Sequence, residues 1–346
     1  MSKNKRPQRI GILTAGGDCP GINAAIRGVG KTAMVKYGMQ VMGISDGFTG
    51  LINKEYFELT ENDLSGILTL GGTILGTSRE KPFKSEGKGK NEIKKPVLIR
   101  EHYEQMGLDC LVCIGGNGTL KTAYLLSQEG LNVIGIPKTI DNDVWGTDIT
   151  FGFDSAVFIA TEAIDRLHST ANSHKRVMVI ELMGHNAGWL ALYSGVAGGG
   201  DVILIPEIPH DENKIAEYLL GRVHENKLYS IVVVAEGIKT PSKDKSPGQY
   251  LARRINELTG LEARETVLGY IQRGGSPSPM DRILATRFGA TAANMIADKE
   301  YGKMVAQINC GISSVPLSEV AGKTRLVEPD NQLVIKAKEM GTSFGA

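Results

Sequence analysis

Short runs of apolar, often β-branched residues alternate along the chain with longer segments in which apolar and polar positions interleave. The strand-like runs are Arg9–Thr14, Gln40–Ile44, Cys110–Ile114, Val133–Ile136, Val177–Leu182, Val202–Ile205 and Ser230–Ala235. Helix-length segments lie between them, among them Asn23–Tyr37, Thr119–Glu129, Ser155–Thr170 and Asn213–Lys227. The runs are apolar rather than alternating, as in strands covered on both faces of a parallel sheet. The repeated strand–helix order predicts an α/β, doubly wound fold. No fixed-period repeat interrupts it, and two polar stretches, Phe83–Pro96 and Lys239–Gly248, read as solvated excursions.

Length and charge narrow the picture. The 346 residues suit two domains of roughly 150 residues each, joined by short crossovers. Thirty-nine basic against 38 acidic residues leave a net charge of +1, which argues against wrapping nucleic acid or binding a membrane surface. No apolar run reaches the ~20 residues of a membrane span. The start of the chain passes from a basic stub into a strand with no signal-peptide pattern, and four cysteines are too few for a disulfide framework. A cytoplasmic location is therefore expected. Cys110 and Cys113 form C-x-x-C, but within a strand they face opposite ways, so buried structural thiols are expected.

The 43 glycines carry the candidate chemistry. Three clusters, Gly16–Gly21, Gly115–Gly118 and Gly198–Gly200, are expected where a strand ends and a helix begins. There, glycine lets backbone amides approach a phosphate and the helix N-terminus adds a favourable dipole. Neither a Walker A loop nor the spaced G-x-G-x-x-G is present. The segment Pro137-Lys138-Thr139-Ile140-Asp141-Asn142-Asp143 falls on a strand-end loop. Its carboxylates could face a substrate, with Lys138 beside them to meet a transferring phosphoryl group, or the loop could be an Asx-type turn capping the next helix. Arg79, Arg176, Arg264 and Arg273, each near a glycine turn or strand end, are candidate anion clamps.

Together these segments resemble the phosphofructokinase family. The resemblance is carried by Gly16–Gly28, Gly76–Glu80, Gly115–Thr119, Pro137–Asp143, Gly146–Ala156, Ala163–Arg176, Glu181–Leu192, Ala197–Glu207 and Thr266–Ala285, in the family's order from about Arg9 to Asn309. It implies two Rossmann-like lobes with mainly parallel sheets and an active site in the cleft between them. The donor lobe would comprise residues 1–138 plus about 272–322, and the sugar-phosphate lobe 139–271 plus about 323–346. The implied glycolytic reaction is phosphoryl transfer from ATP to the 1-hydroxyl of fructose 6-phosphate, with Mg²⁺ as cofactor. By the same resemblance Asp141 is the catalytic base, with Thr139 and Lys138 at the reacting group. Met183, Gly184, His185 and Glu236 are sugar contacts, and Arg264, Tyr270 and Arg273 meet the sugar phosphate. Arg176 reaches a neighbouring subunit's site, implying a homodimer or homotetramer. Gly17, Arg79, Gly116, Asn117, Gly118 and Thr119 are the nucleotide contacts. Arg27 and Arg166 match positions that bind an allosteric nucleotide phosphate in some relatives, and Lys31 and Lys54 stand where such relatives have further basic residues.

Three departures from the family pattern bear on the chemistry. Asn117 replaces the usual aspartate near Mg²⁺ and offers only a neutral carbonyl, so the metal is expected on donor phosphates and water. Tyr270 replaces a histidine and brings no positive charge. Gly118 matches ATP users, whereas Lys138 is typical of pyrophosphate users and is kept in one ATP-using branch. An aspartate at 118 would crowd and repel the nucleotide, so the open glycine favours ATP. Pyrophosphate-dependent transfer is the alternative. A nucleotide- or sugar-phosphate-binding subunit with weak catalysis is the reading from another class.

Overall fold

The structure, a computed structural model, describes residues 6–84, 95–241 and 246–346. The chain forms two compact units: unit 1, residues 1–139, 144–152 and 273–324, and unit 2, residues 140–143, 153–272 and 325–346.

Unit 1 is built on a sheet whose first strand, β1 (Arg9–Ala15), leads into α1 (Ile22–Tyr37), then β2 (Gln40–Ile44), α2 (Phe48–Asn53) and β3 (Tyr56–Leu59). After α3 (Lys95–Gln105) come β4 (Cys110–Gly115), α4 (Asn117–Gln128) and β5 (Val133–Pro137). The chain enters unit 2 through α5 (Phe153–His174), β6 (Val177–Leu182), α6 (Trp189–Ala197), β7 (Val202–Leu204), α7 (Glu212–His224), β8 (Ser230–Ala235), α8 (Pro247–Thr259) and β9 (Ala263–Val267). It returns with α9 (Pro279–Ala297), β10 (Lys303–Ile308), β11 (Gly311–Pro316) and α10 (Leu317–Val320), and finishes in unit 2 with α11 (Gln332–Glu339).

The seven-stranded sheet of unit 1 runs β11-β10-β5-β4-β1-β2-β3. Its inner pairs are parallel, and β2–β3 and β10–β11 close the two edges antiparallel. Ile10, Ile12, Leu111, Val112, Val133 and Ile134 are completely buried, as strands with helices on both faces require. Winding proceeds from β1 outward to β2 on one side and from β4 outward to β5 on the other, so it reverses between β1 and β4. In open α/β sheets this reversal opens a crevice at the carboxyl ends of the strands, where ligands bind. Behind the sheet, α1 and α9 touch backbone to backbone at Gly28 and Gly289. A Cβ at Gly28 would meet the Thr286 carbonyl oxygen at 2.8 Å, so neither helix tolerates a side chain there.

Unit 2 carries a four-stranded, wholly parallel sheet, β7-β8-β6-β9. Strands β7, β8 and β6 are fully buried, whereas β9 (Ala-Arg-Glu-Thr-Val) is largely exposed at one edge. The α/β class with mainly parallel sheets is the one expected from the alternating runs.

Candidate functional site

In unit 1 the carboxyl ends of β1, β4 and β5 lie level, with Ala15 opposite Gly115 and Gly115 opposite Pro137. After β1 the chain turns at Gly16, whose φ of 86° suits glycine. The Gly16 amide donates to the Ser78 carbonyl at 2.9 Å and the Thr77 hydroxyl to the Gly16 carbonyl at 2.7 Å. The segment bearing the exposed Arg79 is thereby tied to the first glycine turn. After β4, Gly116 opens α4, whose first residues are Asn117, Gly118 and Thr119. First-turn amides lack intrahelical acceptors and sit at the positive end of the helix dipole, which suits an anion. The Thr119 hydroxyl donates to the Ala15 carbonyl at 3.2 Å. An ideal Cβ at Gly118 would meet nothing within 4 Å.

After β5 comes Lys138, 3% exposed, whose ammonium donates to the carbonyls of Ala15, at 3.4 Å, and Gly17. Carbonyl oxygens solvate this buried cation and hold its positive charge at the turn. The Arg273 guanidinium occupies the space a Gly17 side chain would fill and donates to the Asp18 carbonyl at 3.3 Å. Thr139 is half-buried, and its carbonyl accepts from the Thr150 hydroxyl at 2.8 Å. Unit 1 thus gathers Gly17, Thr119, Lys138 and Arg273 at the strand ends beside the Gly116–Gly118 turn, a cationic and amide-rich arrangement suited to a polyphosphate. Cys19, fully buried at the same turn, is an inert thiol: burial pushes its pKa far up, and the nearby Lys138 and Arg273 offset only part of that. Among the described residues no group of three or more His, Cys, Asp or Glu side chains could hold a metal ion. Asn117, without charge, does not by itself make a protein-held Mg²⁺ site.

In unit 2 the Asp141–Asp143 turn contains Asn142 in the left-handed region, φ 51° and 3% exposed, with Asp143 8% exposed. Met183, Gly184 and His185 follow the carboxyl end of β6, and Glu236 that of its neighbour β8. The Glu236 carboxylate accepts the Gly184 amide at 3.2 Å and the His185 amide at 2.8 Å. Gly184 at φ 142° and His185 at φ 52° need such fixing, and Gly237 lets the chain pass directly over the His185 carbonyl.

Arg176 and Arg264 stand at the opposite end of this sheet. Arg176 immediately precedes β6, and Arg264 lies beside Met178 in β9. Both bind one carboxylate, that of Glu262, at 2.8 Å and 2.7 Å. The Arg176 hydrogen bond, followed by the one from Arg264, holds the Glu262 carboxyl below its ordinary range. From Met178 to Met183 the strand rises ~16 Å at about 3.3 Å per residue. The structure therefore does not bring Arg176 and Arg264 to the Met183–His185 block of their own chain. Nor does it bring Arg264 beside Tyr270, which is 73% exposed on the short turn Gly269–Arg273 beyond the other end of β9. The extended run of β9, from one end of the sheet to the other, separates Arg264 from Tyr270.

Other expectations are corrected by local geometry. Gly198–Gly200 lies where α6 ends and β7 begins, not after a strand, so it presents no helix N-terminus. Pro247 and Gly248 open α8, and the buried Gly248 amide donates to Glu181 at 2.7 Å, so this end of Lys239–Gly248 is not solvated loop; residues 242–245 lie outside the described residues. Lys95 and Pro96 likewise begin α3, while residues 85–94 of the other polar stretch lie outside the described residues. The helix after Asp141–Asp143 starts only at Phe153, beyond reach of an Asx cap there. Cys110 and Cys113 are buried free thiols, as expected. Of Arg27, Arg166, Lys31 and Lys54, Arg166 pairs with Glu162 at 2.6 Å and Lys54 with Gln105 at 2.8 Å.

Sequence reasoning passed over Glu262, which links two candidate clamps, and Arg325, which grips the Asp141–Asp143 turn. Arg325 Nη1 donates to the Asn142 carbonyl at 3.2 Å, and its backbone amide to the Asp143 carbonyl at 2.8 Å. The Glu-x-Arg spacing of Glu262 and Arg264 on a strand start was a usable signal; Arg325, 183 residues from Asn142, gave none.

A family model described as Phosphofructokinase matches residues 9–296. The chain is 61% identical over 337 residues to ATP-dependent 6-phosphofructokinase 3 of Bacteroides thetaiotaomicron, spanning 97% of this chain and 100% of that protein. It is 58% identical to ATP-dependent 6-phosphofructokinase of Spirochaeta thermophila, spanning 99% of each. It is also 45% identical to pyrophosphate–fructose 6-phosphate 1-phosphotransferase of Amycolatopsis methanolica, over 93% of this chain and 97% of that protein. Among solved structures, phosphofructokinase from Pichia pastoris in the T-state superimposes with a TM-score of 0.83 at 33% identity. That match covers 92% of this chain but only 36% of the yeast chain.

Proposed function

Because the chain belongs to the phosphofructokinase family, we propose that it transfers the γ-phosphoryl group of ATP to the 1-hydroxyl of fructose 6-phosphate. The observation that carries this reading is the gathering of two glycine turns, Thr119, Lys138 and Arg273 at the point where the unit 1 sheet reverses its winding.

In this reading unit 1 binds the donor. The Gly17 and Gly116–Thr119 amides meet phosphate oxygens, and Arg79 meets the nucleotide. Lys138 and Arg273 offset charge on the transferring group, with Thr139 beside it. Unit 2 supplies Asp141 to accept the proton of the attacking hydroxyl, while Met183–His185 and Glu236 orient the sugar. Tyr270 donates a neutral hydrogen bond to its phosphate. Phosphoryl transfer needs little beyond this positioning and charge stabilisation. Mg²⁺ enters as part of the donor complex, on phosphate oxygens and water rather than in a protein cage.

Arg264 and Arg176, ~16 and ~23 Å along the sheet from the sugar block at about 3.3 Å per strand residue, clamp the 6-phosphate of a neighbouring subunit's substrate, in a homodimer or homotetramer in the cytoplasm. No helix among the described residues is long and apolar enough to cross a membrane.

Pyrophosphate as donor is the second reading. It is favoured by Lys138 and by the 45% identity to a pyrophosphate-named relative. The open space at Gly118 weighs for ATP, because a nucleotide needs room there and pyrophosphate does not. Initial rates with fructose 6-phosphate and Mg²⁺, comparing ATP with pyrophosphate, test both. Turnover with ATP alone is expected, turnover with pyrophosphate alone would reverse the donor assignment, and turnover with neither would favour a binding subunit.

A further inference from the structure

Two loops of unit 2 matter to the proposed reaction: Asp141–Asp143, with the base, and Met183–Gly188, with the sugar contacts. Both are fastened to one short segment, Arg325–Val327. Arg325 grips the first loop through the Asn142 and Asp143 carbonyls, at 3.2 and 2.8 Å. Its guanidinium carbon lies 4.1 Å from the centroid of the Trp189 ring, and its own carbonyl accepts from Trp189 Nε1 at 3.1 Å. Trp189 is 4% exposed and opens α6 directly after the second loop. Two residues on, the Val327 amide donates to Glu207 Oε1 at 2.9 Å, and the same oxygen accepts the Gly188 amide at 2.9 Å. The segment therefore ties one loop to the other through two separate contacts.

This tether acts where the backbone needs it. Asn142 adopts φ 51°, a conformation side-chain-bearing residues enter only when their surroundings hold them. A donor on the Asn142 carbonyl fixes the Asn142–Asp143 peptide plane, on the far side of Asn142 from the candidate base, and one on the Asp143 carbonyl fixes the plane after it. The guanidinium is itself held flat against the indole, so little freedom remains to be lost when it donates.

We propose that Arg325 is a positioning residue. Acting through the Asn142 and Asp143 carbonyls and supported by Trp189, it sets the orientation of Asp141 and keeps the base loop and the sugar loop in register. This rests on the phosphofructokinase reading for its kinetic consequence, though not for the mechanical one.

The test compares wild type, Arg325→Ala and Trp189→Phe by steady-state kinetics with both donors and by amide hydrogen exchange of residues 140–144. Misplacing a base by about 1 Å costs on the order of 100-fold in rate, so Arg325→Ala should lose about 10- to 100-fold in kcat with KM for fructose 6-phosphate within about threefold. Methylguanidinium added to Arg325→Ala should restore part of the loss, a response that general destabilisation would not give. Trp189→Phe keeps the stacking face and loses the N–H, so a smaller loss is expected, and it serves should Arg325→Ala fail to fold. Exchange at 140–144 should quicken in both variants. Wild-type kcat in Arg325→Ala, or unchanged exchange at 140–144, would overturn the proposal. Inactivity of wild type with both donors would instead sink the functional reading, while the exchange data still decide the role of Arg325.

Discussion

The Glu262 carboxylate lies 2.8 Å from Arg176 Nε and holds Arg264 with its other oxygen at 2.7 Å, so two cations far apart in sequence share one anion. Because Arg176 and Arg264 lower the pKa of Glu262, its ion pairs stand complete above the usual glutamate range and are lost only as pH falls below it. The affinity for fructose 6-phosphate should show no titration from this group between about pH 5 and 8. Glu262→Gln should raise KM for the sugar phosphate severalfold and leave the melting temperature nearly unchanged, since exposed ion pairs stabilise little. A large fall in melting temperature with unchanged KM would make the pair purely structural.

If Arg176 serves a neighbouring subunit, two inactive variants should complement each other. Asp141→Ala and Arg176→Ala, each nearly silent alone, should regain measurable turnover when unfolded together and reassembled. Persistent silence of a mixture shown by native mass spectrometry to contain hybrids would place Arg176 in its own subunit's site.

Asp141→Asn keeps the shape of the side chain and removes its basicity. General-base catalysis contributes about 10²- to 10⁴-fold. A loss of that order in kcat is expected, with calorimetric binding of fructose 6-phosphate within a few-fold of wild type. Retention of normal kcat would exclude Asp141 as the base.

Gly118 offers a donor test free of packing effects. The space beyond its Cα is open, and aspartate near a helix N-terminus is electrostatically welcome. Gly118→Asp should fold and melt as wild type does, yet its KM for ATP should rise more than about tenfold through repulsion of the nucleotide phosphates. An unchanged ATP KM would show that position 118 does not face the donor.

Lys138→Met addresses a buried cation. Losing the donor to the Ala15 and Gly17 carbonyls costs about 1–3 kcal/mol. Removing the desolvated charge returns a comparable amount, so the net change in urea stability should be within ~1 kcal/mol. Phosphoryl transfer should nevertheless fall by about 100-fold or more, the scale of losing one pre-placed electrostatic group. Full activity in this variant would reduce Lys138 to a structural role.

How far the sequence is legible depends on what kind of strand or loop is read. Val177–Leu182 and Ser230–Ala235 are buried on both faces, so continuous apolar runs mark them with the right bounds. β9 and β11 carry polar and exposed residues at sheet edges, and β3 is only four residues long, so no such run distinguishes them from loops. Ser246-Pro247 and Ser278-Pro279 are capped helix starts whose signature lay open in the chain, each serine accepting an amide three residues on. Glycines after β1 and β4 announced the turns at those strand ends, but Gly198–Gly200 has the same composition and ends a helix. What composition could not supply was distance: Arg264 and Tyr270, close in sequence, reach opposite ends of the sheet because β9 between them is extended.

The division of the chain has a consequence for how the protein is made. The polypeptide passes between the units after residues 139, 143, 152, 272 and 324, so neither unit is a continuous stretch. The edge of the larger sheet needs β10 and β11, residues 303–316, to complete the ladder beyond β5, which lies far upstream in the chain. A ribosome that has synthesised everything through β9 has completed neither unit. Folding is therefore concentrated after most of the chain has emerged, and the exposed edge of β5 must be shielded from other nascent chains until then.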